Sequence, residues 1–142
     1  MKKSNAIVTA YVDMVVPFYD LDPMRIVWHG NYVKYIEDAR CALLDRIGYN
    51  YNAMEESGYM WPIVDMRLKY VASAVFGSNI RIHASLVEFE TRIKIDYKIE
   101  CLDSQKVLTK GYTIQVALDL KEQELQFESP TVLTDKVRAY VK

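Results

Sequence analysis

Between Tyr19 and Tyr32 the chain reads Tyr-Asp-Leu-Asp-Pro-Met-Arg-Ile-Val-Trp-His-Gly-Asn-Tyr. Asp20, Asp22 and His29 can each exchange a proton, and a carboxylate can also attack an electrophilic carbon. Helical periodicity begins at Asn31. Free amides at a helix start favour negative charge, including charge that develops on the oxygen of an attacked carbonyl. Carboxylate and helix start together describe a site that could hydrolyse an acyl substrate. A plainer reading also stands: Asp20 and Asp22 cap a polar loop, and His29 is ordinary loop polarity.

The elements that must hold this cluster show in the periodicity. Residues 6–16 alternate, with Val8, Ala10, Val12, Met14 and Val16 against Thr9, Tyr11 and Asp13, which predicts a half-buried strand ended by Pro17. Tyr32, Ile36, Ala39, Leu43 and Ile47 form one apolar stripe opposite Lys34, Asp38, Cys41 and Asp45. That predicts a helix roughly 24 Å long, stopped at Gly48. Asn52 with Glu55 predicts a capped short helix over 53–57 that closes at Gly58. Alternation predicts strands over 61–71, 79–89, 92–101 and 107–120. In the last of these Leu108, Tyr112, Ile114, Val116, Leu118 and Leu120 share one face. Short connections at Glu90-Thr91 and Asp103-Ser104-Gln105 make neighbouring strands antiparallel. Ser129 and Pro130 read as the N-cap and first position of a terminal helix. The expected architecture is α+β: one domain over 1–142, with an antiparallel sheet of about five strands curled around a long helix.

Composition narrows the function classes. A chain of 142 residues has the length of one domain and can bury a core without staples. Eighteen basic residues against 19 acidic ones, a net of −1, argue against nucleic-acid binding by bulk electrostatics. Cys41 and Cys101 form neither a disulfide framework nor a metal site, and they suit a reducing, cytoplasmic compartment. Polar residues interrupt every apolar run, so neither a signal peptide nor a membrane span is expected. Of 11 tyrosines, seven fall within the first 59 positions, which predicts that this half packs around something flat and partly polar.

The run Asp20-x-Asp22-Pro23-x-x-x-Val27-Trp28-His29-Gly30-Asn31-Tyr32, followed by Glu37-x-x-Arg40, resembles the 4-hydroxybenzoyl-CoA thioesterase family of hotdog-fold proteins. The order of elements resembles that fold over essentially the whole chain. The resemblance implies that Asp22 is the catalytic carboxylate, acting as nucleophile or as general base through water. It implies that the backbone N–H of His29 polarises the thioester carbonyl, with the His29 side chain also implicated. It implies a substrate that is an acyl-CoA or an acyl carrier protein thioester, no cofactor, and a homodimer or homotetramer with a shared cleft. Where this family usually has Gly, three residues after the second Asp, the chain has Arg25. Gly there would supply permissive backbone angles or room for a ligand; Arg25 instead offers a contact for an anionic carrier group, or a solvated side chain. The Pro-Met and Trp-His-Gly-Asn-Tyr variants resemble a subgroup associated with aryl polyene biosynthesis.

Other residues have two readings each. Tyr19, Trp28, Tyr32, Tyr35, Tyr59 and Trp61 would wall an acyl tunnel or build a core around the helix. Asp65 would support a neighbouring loop or pair with Arg67 or Lys69. Arg92, Lys94 and Lys98 would meet carrier phosphates or form a solvated sheet face. Glu37 would act catalytically or pair with Arg40, and His83 reads as a surface residue. The competing functions are a 3-hydroxyacyl thioester dehydratase using His29 and Glu37, and a non-catalytic acyl-thioester binder.

Overall fold

A computed structural model describes residues 5–142. In chain order the elements are β1 (Val8–Val15), α1 (Asn31–Arg46), α2 (Tyr51–Glu56), β2 (Tyr59–Met60), β3 (Ile63–Tyr70), β4 (Asn79–Glu88), β5 (Ile93–Cys101), β6 (Val107–Gln115), β7 (Leu118–Asp119), β8 (Glu124–Leu125) and α3 (Thr131–Val141). Five strands form one antiparallel sheet in the order β1-β4-β5-β6-β3. The long helix α1 packs chiefly on β1 and β4. Its buried stripe of Tyr32, Ile36, Ala39 and Leu43 meets Ile80, Ile82 and Leu86 of β4, and beyond them Ile93, Ile95 and Ile99 of β5. Each buried Ile or Leu among them contributes about 1.5–3 kcal/mol by leaving water. Gly48 follows the helix at φ 73°, the left-handed position that a helix stop favours.

Three expectations are corrected. The strand foreseen over 107–120 breaks after Gln115, and Leu118–Asp119 joins Tyr59–Met60 and Glu124–Leu125 in a separate small sheet. Within β6 the inner face is polar: Thr109, Gly111, Thr113 and Gln115 lie opposite the inward residues of β5, while Tyr112 and Ile114 lie on the outer face. One part of the physical reason is Arg40, buried on α1. Its Nε donates to the Tyr51 hydroxyl at 3.0 Å, and its Nη2 lies 3.4 Å from Glu37 Oε1, as the i,i+3 spacing implied. Burial opposes its charge, but Tyr97 and Tyr51 outweigh that and hold its pKa above the ordinary value. Tyr97 in turn shares a 2.8 Å hydrogen bond with the Thr113 hydroxyl, and the Gln115 side-chain amide donates to the Trp61 carbonyl at 2.8 Å. Arg40 thus reaches β6 through Tyr97 and Thr113, Gln115 answers to the Trp61 carbonyl, and Gly111 leaves room for the Arg67 carbonyl, so three separate partners replace apolar residues where alternation called for them.

The second correction concerns caps. The N-cap of α2 is Asn50, whose side chain accepts from the Ala53 amide at 2.9 Å, so the helix starts earlier than Asn52 suggested. Pro130, not Ser129, occupies the N-cap of α3. The third is β3. Its expected half-buried alternation is absent; every residue but Leu68 is exposed, because β3 is a sheet edge and carries little helix above it.

Candidate active site

The segment before α1 is a closed loop, not a free one. Leu21 and Val27 bridge, the Asp22 amide donates to the Ile26 carbonyl at 2.9 Å, and the Arg25 amide donates to the Asp22 carbonyl at 2.9 Å. Asp22 Oδ1 accepts from the Met24 amide at 2.8 Å. No hydrogen bond among the described residues reaches the other oxygen, Oδ2. Arg25 takes φ 64°, left-handed backbone that costs about 1–2 kcal/mol for a residue with a Cβ. The Gly of the resembling family is thereby explained: the turn needs a positive φ, and here Arg25 supplies it at a cost.

Asp20 fastens this loop to α1. Its carbonyl accepts from the Trp28 amide at 3.0 Å and from Asn31 Nδ2 at 2.9 Å, and its Oδ2 accepts from the Tyr35 hydroxyl at 2.5 Å. Burial first, and the Asp20 carboxylate second, raise the pKa of Tyr35 far above the usual phenol range and keep the donor protonated. The loop-capping reading therefore fits the side chain of Asp22, which accepts from a loop amide, while the side chain of Asp20 ties the loop to α1. On the far side the Val27 amide donates to the Ala74 carbonyl at 2.9 Å, and the Ala74 amide donates to the Tyr32 hydroxyl at 3.2 Å.

Asp22, His29 and Tyr32 line one cavity of about 460 Å³, with Met24, Ile26 and Val27 from the loop and Tyr70, Val71, Ala72 and Ser73 from the end of β3. Among the described residues the amides of His29 and Gly30 donate no hydrogen bond, so they are open donors at the N-terminus of α1. The His29 carbonyl accepts from the Tyr32 amide at 3.3 Å and, at 3.4 Å, from the Tyr70 hydroxyl. Rings gather here: Trp28 and His29 centroids are 5.2 Å apart, and Tyr70 lies 5.5 Å from Tyr32 and 6.2 Å from His29. A Cβ on Gly30 would collide with the Trp28 ring, so only Gly lets that ring lie against the helix start.

The other foreseen site residues stand apart from the cavity within this chain. Tyr19 is 85% exposed. Arg25 is exposed on the turn beside it. Asp65 is exposed on β3 and accepts from the Tyr112 hydroxyl at 3.3 Å. Arg92 is held by Glu88 through contacts of 2.8 and 3.2 Å. His83, on the outer face, pairs with Glu100 at 2.7 Å. The aromatic set divides: Trp61 donates to Tyr49 under α2, away from the Tyr32 group. Sequence reasoning missed Tyr70 as a cavity residue; its only signal was a Tyr ending an alternating strand.

Residues 16–139 match the profile of the thioesterase-like superfamily. The Bacillus subtilis protein YneP, provisionally named an acyl-CoA thioesterase, is 30% identical over 77 residues, 54% of this chain and 56% of its own length. The chain thus matches little more than half of that relative. The chloroplast acyl-acyl carrier protein thioesterase ATL3 of Arabidopsis thaliana is 26% identical over 119 residues, 83% of this chain and 63% of its own. A DHNA-CoA thioesterase structure from Staphylococcus aureus superposes with a TM-score of 0.80 at 20% identity, covering 93% of this chain and 88% of that one. Among the described residues no helix is long and apolar enough to cross a membrane. With a five-stranded antiparallel sheet packed on a central helix, the chain has the hotdog fold and belongs to the thioesterase-like superfamily.

Proposed function

We propose that this chain hydrolyses an acyl thioester, of coenzyme A or of an acyl carrier protein, to a free acid and a thiol. The observation that carries the reading is the juxtaposition in one cavity of a carboxylate with an unengaged oxygen, Asp22, and a helix start whose His29 and Gly30 amides are unpaired. In this reading the thioester carbonyl oxygen faces the His29 amide, which stabilises the oxyanion as the carbon becomes tetrahedral. Asp22 either takes a proton from the attacking water or forms an acyl anhydride that water then opens. In both routes the C–S bond breaks and a thiolate leaves. It is protonated by the proton Asp22 took from water in the first route, and by solvent in the second, where the water that opens the anhydride returns a proton and frees Asp22. The cavity volume fits a small-molecule site, and Tyr32 and Tyr70 offer flat apolar walls for the acyl group, with Trp28 outside the lining beside His29. Arg25, exposed beside the cavity, would meet an anionic part of the carrier. Tyr19 would contribute only to an outer rim, and Arg92 stands at the other end of β5 from the cavity.

A second copy of the chain completes this reading. The edge strand β3 presents unpaired backbone and exposed Ile63, Val64 and Met66, and its end lines the cavity. Two copies paired along β3 would bury that edge, with Asp65 on the outer face of the seam beside Tyr112. The motif variants at Pro23-Met24 and Trp28–Tyr32 support the aryl polyene subgroup as the finer assignment.

The dehydratase reading is less favoured, because Glu37 is paired with Arg40 and is absent from the cavity lining, which leaves His29 without an acid partner on α1. Free-thiol release from panels of acyl-CoA and acyl carrier protein donors is the test. Thiol release supports hydrolysis. Hydration of enoyl thioesters without thiol release would favour the dehydratase, and binding without turnover would favour the non-catalytic binder.

A further inference from the structure

The outer face of the five-stranded sheet has two different charge patterns. On the β1–β4 side cations are matched: Arg81 bonds Asp13 at 2.7 and 2.9 Å, and His83 lies 2.7 Å from Glu100. Across β5, β6 and β3 the register does the opposite. Lys98 stands opposite Lys110, and Lys110 stands opposite Lys69. Arg67 lies two positions before Lys69 on β3, on the same face. All four are exposed, and none has an ion-pair partner among the described residues. They line a shallow concavity of about 430 Å³ whose one carboxylate is Asp96. Like charges directly opposite one another destabilise a sheet, so this row works against the fold that holds it.

Resting on the thioesterase reading above, we infer that this row docks an acyl carrier protein through an acidic helix of that protein. The row spans three strands, roughly 10 Å, and so suits carboxylates spread along a helix. A nucleotide phosphate asks for convergent donors, and here the amides of β5 and β6 are taken up by the sheet ladder while the lysines stand apart as point charges. Placement agrees. Lys69 immediately precedes Tyr70, and Val71, Ala72 and Ser73 carry the chain on into the cavity wall. A thioester arm from a docked carrier would enter around this end of β3. The match to a relative named for acyl carrier protein substrates points the same way.

The test compares wild type with Lys110→Glu, using one acyl group carried on coenzyme A and on acyl carrier protein. An acid between Lys98 and Lys69 removes the like-charge opposition, so the thermal midpoint rises. At the same time kcat/KM for the carrier protein substrate falls about ten-fold or more and loses its salt dependence, while the coenzyme A substrate changes less than about two-fold. Equal loss on both donors, or loss on neither, overturns the proposal, and so does a changed oligomeric state, which would make the face a contact between copies. If wild type releases thiol from neither donor, the thioesterase reading fails. The docking surface is then judged by binding of unacylated carrier protein alone: binding weakened by Lys110→Glu upholds it, and no binding or unchanged binding overturns it.

Discussion

The half of the sheet beneath α1 and the half beyond β5 share strand geometry but differ in what finishes them. Under α1, Val8 and Ala10 of β1 and the inward residues of β4 are buried against the helix stripe, and the outward Arg81 and His83 have acidic partners. On the other half, β3 is open on both faces: Met66 is 43% exposed inward, and Lys69 faces Lys110 outward with no acid between them. Stability is concentrated in the first half and unfinished surface in the second. The cavity with Asp22 lies where the two meet, walled by the start of α1 and the end of β3. Binding surfaces need groups that the fold has left unsatisfied, and this molecule places them together on one edge.

The contrast is broken most strongly by truncation under the helix. Leu43→Ala should cost about 2–5 kcal/mol in denaturant unfolding, while Met66→Ala should cost the monomer less than about 0.5 kcal/mol. Met66→Asp should instead shift a dimer to monomer in sedimentation, with folding intact. Arg25→Gly comes next. Relief of the left-handed backbone should stabilise the chain by about 1–2 kcal/mol, and Arg25→Ala should give no such gain. If Arg25 meets the carrier, the glycine variant will also raise KM for the thioester while leaving kcat near wild type. Tyr35→Phe should cost about 1–2 kcal/mol by leaving the part-buried Asp20 carboxylate short of a donor, and it should lower kcat by loosening the loop that carries Asp22. The smallest effect is on the matched outer face. Arg81 and His83 hold the pKa values of Asp13 and Glu100 below their ordinary values. Their contribution is therefore complete above the unfolded carboxylate values near about 4, and it is lost as pH falls through the lowered folded values. Thermal melts between pH 6 and 2.5 should show this as a modest loss that salt diminishes.

The sequence carried local pattern well and partnership poorly. α1, β4 and β5 follow from their stripes because burial on one side is all those stripes encode. The alternation of β6 is misleading because its inner Thr113 and Gln115 answer to Tyr97 and to the Trp61 carbonyl, which lie on other elements and reverse the polarity that alternation implies. The loop from Asp20 to Tyr32 was legible as a motif, and the positive φ of Arg25 explains the residue that departed from it. Tyr70 was not legible as a cavity residue, since 41 positions separate it from His29 and only the turn of β3 toward α1 brings them together. The lysine row was equally hidden, because Lys69, Lys98 and Lys110 become neighbours only through strand register.

The central claim is that Asp22, beside the open amides at the start of α1, drives thioester hydrolysis. Free-thiol release by Asp22→Asn, compared with wild type on the best acyl donor and with folding checked by circular dichroism, tests it most directly. The variant should retain its fold and lose about 10²–10⁴-fold in kcat. A folded Asp22→Asn protein that releases thiol at the wild-type rate would contradict the account.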